Sequence, residues 1–169
     1  MSAPLKADVT ISGPVAAEMF ASTSASDSDF VVKLIDVSPD DAQRPTWGEE
    51  GPKPGQFAQS ANGYELSIAM EVRRGRYFAS YEHPKALTPN KPVRWDVPLR
   101  DRDDVFKAGP RIMVQVQSTW FPLIDRNPQT FTPSIYSARA ADFVAATQMV
   151  YAAPSLASRI VLPVVPAGG

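Results

Sequence analysis

The stretch Tyr64-Glu65-Leu66-Ser67-Ile68-Ala69-Met70-Glu71-Val72 alternates large apolar side chains with smaller or charged ones. Successive side chains of a β-strand point to opposite faces of a sheet, so this period of two predicts a strand. A strand with one apolar and one polar face is half-buried. We therefore expect one set of side chains to be turned toward the core, namely Tyr64, Leu66, Ile68, Met70 and Val72.

The same alternation recurs along the chain. Val93–Leu99 and Ile112–Gln117 show it cleanly. Shorter or noisier segments have the β-branched and aromatic content typical of strands; they are Val15–Thr23, Phe30–Val37, Thr147–Tyr151 and Arg159–Val164. Together these segments predict seven strands, with an eighth at Val9–Ser12.

Proline content supports an all-β fold. The chain has 17 prolines among 169 residues, and proline fixes φ and cannot donate to a strand ladder, which favours strand edges and loops. A chain of this length needs only one core, so we predict a single domain over residues 1–169. The predicted architecture is a two-sheet jelly-roll sandwich, galactose-binding-domain-like, with one short helix around Ala140–Ala146.

One long loop and one loose end are predicted. Residues 38–63 are rich in proline, glycine and acidic residues, which predicts a long loop, and Trp47 and Phe57 are candidate apolar anchors within it. Residues 165–169 are predicted to be a frayed tail.

Charge and composition exclude several classes of function. The net charge is −1 and the pI is near 5.8, which gives no broad attraction for nucleic acid or an anionic membrane. The absence of cysteine excludes disulfides and thiolate metal sites. The first residues lack a signal-peptide pattern, and the longest apolar run, Ile160–Val165, is far short of the roughly 20 residues that span a bilayer. We expect a soluble chain whose compartment the composition leaves open.

Several separated blocks resemble, in order, the C-terminal domain of X-Pro dipeptidyl-peptidase and cocaine-esterase-type serine hydrolases. The similarity is greatest to the branch of α-amino-acid ester hydrolases and glutaryl acylases. The blocks cover nearly the whole chain: Ala7–Val15, Ser26–Val37, Arg73-Arg74-Gly75-Arg76-Tyr77, Gly109–Pro122 with Asp125-Arg126-Asn127-Pro128, and the closing Ala145–Gln148 and Ser158–Val164.

The resemblance implies a non-catalytic domain. The family's Ser, Asp and His belong to an α/β-hydrolase part that has no counterpart in these residues, and the nucleophile elbow G-x-S-x-G does not occur in the sequence. His83, the only histidine, precedes Pro84 in a turn-like segment and is expected to be an exposed turn residue. We predict no catalytic residue here and no cofactor. The implied partner is the catalytic domain of a parent hydrolase, and a periplasmic or secreted parent is compatible with the composition.

A candidate docking segment follows the strand that ends at Gln117. It combines large apolar groups with charges, and apolar surface rimmed by charge is typical of interfaces. The residues are Trp120, Phe121, Pro122, Asp125, Arg126 and Asn127. They either close the domain's own sandwich or dock on the catalytic domain, and docking is the hypothesis we carry forward. An isolated domain with such a surface is expected to self-associate.

Other candidate sites have simpler interpretations. Asp27, Asp29 and Asp36 offer oxygen ligands for Ca²⁺, but turn chemistry explains the first two and no metal site is predicted. The run Arg73–Arg76 is interpreted as a solvated strand end, and the charge-balanced run Arg100–Lys107 as a salt-bridged loop. The alternative function is a free-standing carbohydrate-binding module that uses Trp47 and Trp120 as platforms.

Overall fold

The computed structural model describes residues 1–40 and 63–166. Within those residues it contains nine strands, some of them only two residues long: β1 Val9–Thr23, β2 Asp29–Val37, β3 Glu65–Arg74, β4 Val93–Phe106, β5 Arg111–Gln117, β6 Gln148–Val150, β7 Ala152–Ala153, β8 Leu156–Ala157 and β9 Arg159–Val161. Single 3₁₀ turns occur at Gly75–Tyr77, Ile135–Ser137 and Ala140–Asp142.

Two antiparallel sheets pack face to face. In the first, β4 and β6 pair with β1, and β9 also pairs with β1; in the second, β3 and β5 flank β2. A small hairpin, β7 with β8, forms a separate two-stranded sheet. The prediction of an all-β two-sheet sandwich is confirmed.

The two sheets meet around the indole of Trp95. This β4 side chain is fully buried, and its ring contacts that of Phe30 on β2 edge to face at 4.8 Å between centroids. Its Nε1 donates to the carbonyl of Ala21 at 3.3 Å, so the one polar group of the ring is satisfied. Other core residues come from both sheets: Ile11, Val15, Met19, Val32, Leu34, Val97, Leu99 and Phe106.

Two strand boundaries differ from the prediction. Val9–Ser12 and Val15–Thr23 belong to one continuous strand, because the Gly13-Pro14 break is absorbed as a register shift between Pro14 and Ala16. Gly13 has φ 121°, a conformation that glycine adopts without strain. β4 continues to Phe106 rather than ending at Leu99. The charged run predicted as a loop is therefore largely strand, tied by Arg100 to Glu71 and by Lys107 to Asp8.

The predicted core face of β3 is wrong at Tyr64 and Leu66. Ala69 is in the core opposite Leu34, whereas Tyr64 and Leu66 are exposed. Ala69 faces the core because it pairs with the buried Leu34. Tyr64 and Leu66 lie beyond a register shift, since Leu34 pairs with Ala69 but Ile35 pairs with Ser67. Ile68, left between those pairs, packs against the edge of the core.

The predicted helix around Ala140–Ala146 is also wrong. Only one 3₁₀ turn forms, Ala140–Asp142, and it is closed by the amide of Arg139, which donates to Asp142 Oδ2 at 2.7 Å. Among residues 1–40 and 63–166, no helix has the length and apolar character to cross a membrane.

The long loop and the tail fall partly outside the described residues. Trp47 and Phe57, with the rest of residues 41–62, lie there, as do residues 167–169. The two ends of the loop meet, since Ser38 N donates to Tyr64 O at 2.9 Å and Gly63 N donates to Pro39 O at 3.2 Å. At the start of the predicted tail, Val165 N donates to Thr10 O at 2.9 Å.

Replacing Trp95 with alanine should destabilise the domain by about 3–5 kcal/mol, because the cavity would open between both sheets. Urea denaturation measures this free energy of unfolding. The matched control is Asp96→Ala on the adjacent, solvent-facing position of β4, which should change stability by less than about 0.5 kcal/mol. Equal effects of the two substitutions would contradict the placement of Trp95 at the centre of the core.

Candidate docking surface

Buried polar side chains join the start of β2 to the end of β3 and to the long connection between β5 and β6. The first of these is Asp27, in the turn before β2, which is 0% exposed. Its Oδ2 accepts from Arg76 Nε at 3.0 Å, while Oδ1 accepts from the backbone amides of Arg76 at 3.1 Å and Ser28 at 2.9 Å. A buried carboxylate is tolerable only with such a set of partners, since removing any one leaves charge without compensation.

Gly75 makes this pairing possible. A Cβ at this position would lie 2.6 Å from Ser28 O and 2.7 Å from Leu87 Cδ1, which is too close for any side chain. Its amide donates to Ser28 O at 2.7 Å. The end of β3 therefore approaches the Asp27 turn closely enough for the Arg76 amide to reach the carboxylate.

The basic run is consequently not the solvated strand end that was predicted. Arg76 is 4% exposed, and its guanidinium lies over the ring of Phe131, with 5.0 Å from Cζ to the centroid. Arg73 donates to the carbonyl of Phe78 at 3.1 Å and lies over the ring of Tyr81. Three neighbouring arginines thus have different environments, which the charge pattern alone does not reveal.

A second buried pair attaches the docking segment itself. Asn127 Nδ2 donates to Asp29 Oδ1 at 2.9 Å, and both side chains are buried. Arg74 lies with Nε 3.7 Å from Asp29 Oδ2, and its Nη2 donates to the carbonyl of Asp125 at 3.1 Å. The predicted docking residue Asn127 therefore faces inward and fixes the segment to β2.

Burial perturbs the carboxyl of Asp29. Desolvation raises its pKa to about 6, against the hydrogen bond from Asn127 and the charge of Arg74, which lower it. The residue thus binds a proton more tightly in the folded protein than in the unfolded chain.

Asp29, Arg74 and Asn127 form the anchor of the docking segment. Outside this anchor the segment presents an exposed apolar surface. Phe121 is 63% exposed and Leu123 is 67% exposed, and Phe143 from the later turn is also exposed. The guanidinium of Arg126 lies between two of these rings, 5.5 Å from the centroid of Phe121 and 5.8 Å from that of Phe143. We call Phe121, Leu123, Arg126 and Phe143 the Phe121 patch.

The remaining predicted residues are distributed around the patch. Trp120 is half-buried, and Lys33 Nζ lies 5.3 Å from its ring centroid, so one face of the indole is occupied. Pro122 is exposed and follows a cis peptide bond. Asp125 is exposed, while its carbonyl accepts from Arg74. Sequence reasoning does not bring Phe143 to this surface, because it is distant from Phe121 in the chain and lies within the predicted helix Ala140–Ala146.

The other candidate residues do not gather into a site. His83 is exposed, and its amide donates to Ser80 Oγ at 3.2 Å. Asp36 lies at the far end of β2 from Asp29, and burial followed by the charge of Asp104 raises its pKa. In the described part of the chain, no three His, Cys, Asp or Glu side chains lie close enough to hold a metal ion together.

The packed sheets and the loop-built surface define a two-sheet β-sandwich with an exposed apolar surface. The chain belongs to the family described as the X-Pro dipeptidyl-peptidase C-terminal non-catalytic domain, which matches residues 1–161.

Individual relatives agree with this assignment. The chain is 29% identical over 157 residues to the cocaine esterase of Rhodococcus sp. (strain MB1 Bresler), covering 93% of this chain and 23% of that protein. Among solved structures, an α-amino acid ester hydrolase matches with 44% identity and a TM-score of 0.84, over 96% of this chain and 24% of the hydrolase. An aminopeptidase from a marine sediment archaeon, Thaumarchaeota archaeon, matches with 39% identity and a TM-score of 0.85, over 98% of this chain and 25% of the aminopeptidase. The chain thus spans about a quarter of the length of these relatives.

Replacing Asp29 with asparagine should change how stability depends on pH. The folded pKa of about 6 exceeds the ordinary 3.8, so the contribution of Asp29 is fully present below pH 3.8 and is lost as pH rises through about 6. Asparagine stays neutral and still accepts from Asn127. Relative to the native protein, the variant should therefore gain about 1–3 kcal/mol between pH 4 and pH 7.

Urea titrations of both proteins across this pH range test the prediction. The difference between them isolates Asp29 from the other carboxyls. Asp125→Asn, an exposed aspartate on the same connection, is the control. If native and Asp29→Asn proteins had parallel stability profiles, the proton would not be held at Asp29.

Proposed function

We propose that this chain is the non-catalytic C-terminal domain of an α/β-hydrolase-type serine hydrolase of the acyl-peptide, amino-ester or acyl-amide class, and that the Phe121 patch docks on the catalytic domain. The observation that carries the proposal is an exposed aromatic surface built on a rigidly buried polar anchor. The chain's family membership supports the same conclusion, as does its match to about a quarter of the length of larger hydrolases.

The patch has the composition of an interface centre. Aromatic residues and arginine are enriched at such centres, where they contribute much of the binding free energy. Phe121 and Leu123 are each more than half exposed in this chain, so each has apolar area left to bury. Covering such a side chain contributes about 1.5–3 kcal/mol.

Arg126 gives this surface a positioned hydrogen-bond donor. The two rings hold its guanidinium in place, and no carboxylate within 4.0 Å pairs with it among the residues that the structure describes. A pre-positioned arginine loses less conformational entropy when it binds an acceptor. The catalytic domain would bury the rings and provide an acceptor for the guanidinium.

The anchor restrains the segment that carries this surface. Asn127 joins the segment to Asp29, and Arg74 joins the carbonyl of Asp125 to the same carboxylate. A pre-formed surface avoids the ordering cost that a free loop would incur on association. The proposed role is therefore mechanical support of the catalytic domain and of the access to its active site.

We expect Phe121→Ser combined with Leu123→Ser to weaken association with the separately expressed catalytic domain by at least about tenfold. Calorimetric titration measures the affinity. Arg126→Ala should weaken binding as well, whereas Val105→Ser, which removes an exposed apolar group of β4 outside the patch, should leave it unchanged. Unchanged affinity in the double variant would refute docking at this surface.

The same patch should make the lone chain self-associate. In sedimentation velocity, the native chain should form oligomers, and the double variant should be monomeric.

We further propose that the chain contributes no catalytic group of its own. Purified chain, freed of contaminating esterases, should turn over neither an ester nor a peptide substrate, since its one histidine is exposed and has no oriented acid in the described structure. The control is His83→Ala. Turnover by the native chain that disappears in this variant would overturn the proposal.

A further inference from the structure

A second surface feature lies beside the anchor and is separate from the Phe121 patch. It is a cleft of about 120 Å³ between the turn at Gly75–Tyr77 and the turn at Ile135–Ser137. Its polar lining consists of Arg74, Arg76, Tyr77, Ser134 and Tyr136, with Pro133 and Ile135 as the apolar part. We propose that this cleft is a binding site for a carboxylate group.

The strongest support is an unsatisfied donor on a buried side chain. Arg76 is 4% exposed, and its Nε is engaged by Asp27. Its Nη2 is buried and has no hydrogen-bond acceptor within the described residues. The ring of Phe131 stabilises the charge of the guanidinium but offers no lone pair to this nitrogen. A buried donor without an acceptor costs free energy, and Arg76 is one of the residues that line the cleft.

The rest of the lining selects the same chemistry. Every polar side chain in the cleft is an arginine or a hydroxyl, and no carboxylate is among them. Arg74 is 21% exposed and lines the cleft together with Arg76, so two arginines contribute to one small space. Guanidinium groups bind carboxylates in a planar geometry, and tyrosine and serine hydroxyls can donate to the remaining lone pairs.

The acids nearest to these arginines act behind the cleft rather than inside it. Asp27 and Asp29 hold Arg76 and Arg74 from the buried side and are not part of the lining. They fix the position of the guanidinium groups. The volume admits a carboxylate with a short stem, such as a small free carboxylic acid or the side chain of an aspartate or glutamate from the catalytic domain.

Acetate is the probe, and acetamide is its uncharged counterpart of the same shape. In ¹H–¹⁵N NMR spectra of this chain, acetate should shift the amides around Arg76, Tyr77 and Ser134 saturably, with a dissociation constant of about 1–10 mM. Acetamide should leave them unchanged. Shifts that are alike for both compounds, or that do not saturate, would overturn the proposal.

A variant at Ser134 tests the site without disturbing the buried pair of Arg76 with Asp27. Ser134→Asp places a carboxylate at the rim and should weaken acetate binding by at least about tenfold. Ser134→Asn matches Ser134→Asp in shape but has an amide donor and no charge, so it should bind acetate at least about tenfold more tightly than Ser134→Asp. Equal affinity in the two variants would count against the cleft as the site.

The source of the carboxylate is decided by repeating the titration with the catalytic domain bound. If an acidic side chain of that domain fills the cleft, acetate will no longer bind in the complex. If the ligand is a free acid, acetate will bind in the complex as it does to this chain alone. Because acetate binding is measured first on the lone chain, a failure of docking at the Phe121 patch leaves this test intact.

Discussion

The buried pairing of Asp27 with Arg76 is the constraint on which the functional surface depends. It joins the turn between β1 and β2 to the end of β3, with a carboxylate that has no exposure to solvent. Breaking a buried pair costs far more than the pair contributes relative to apolar residues, because the remaining charge is left uncompensated. Such a pair acts chiefly as a geometric requirement: the strand end and the turn must meet, and Gly75 permits that approach.

The other polar contacts on this side of the sandwich lie next to the pair of Asp27 with Arg76. Asp29 and Arg74 extend the polar cluster to Asn127 and to the carbonyl of Asp125. The connection between β5 and β6 consequently leaves the sheet with a defined conformation. Its apolar side chains Phe121 and Leu123 remain exposed. An exposed aromatic patch on a rigid base suits a domain that serves a larger hydrolase.

The Phe121 patch and the cleft differ in the groups that they expose to a partner. The patch offers aromatic area with one guanidinium, whereas the cleft offers guanidinium and hydroxyl donors with little apolar area. Both use arginines whose positions are set by neighbouring side chains, either rings or carboxylates. Pre-positioning reduces the entropy lost on binding, so a modest surface can recognise its partner. Under the proposed function, the domain contributes recognition and no reactive group.

The amino-acid sequence by itself determined the sandwich, because apolar alternation in segments such as Val93–Leu99 records which face of a strand is buried. The family blocks further indicated a non-catalytic role. Tertiary structure decided the rest: the pairing with Leu34 that puts Ala69 in the core, the extension of β4 through charged residues, and the burial of Arg76 and Asn127. These features depend on partners distant in the chain, such as Asp27 for Arg76 and Phe143 for Arg126. Local composition does not encode such pairings, since a charged side chain has the same sequence signature whether water or a buried counter-charge surrounds it.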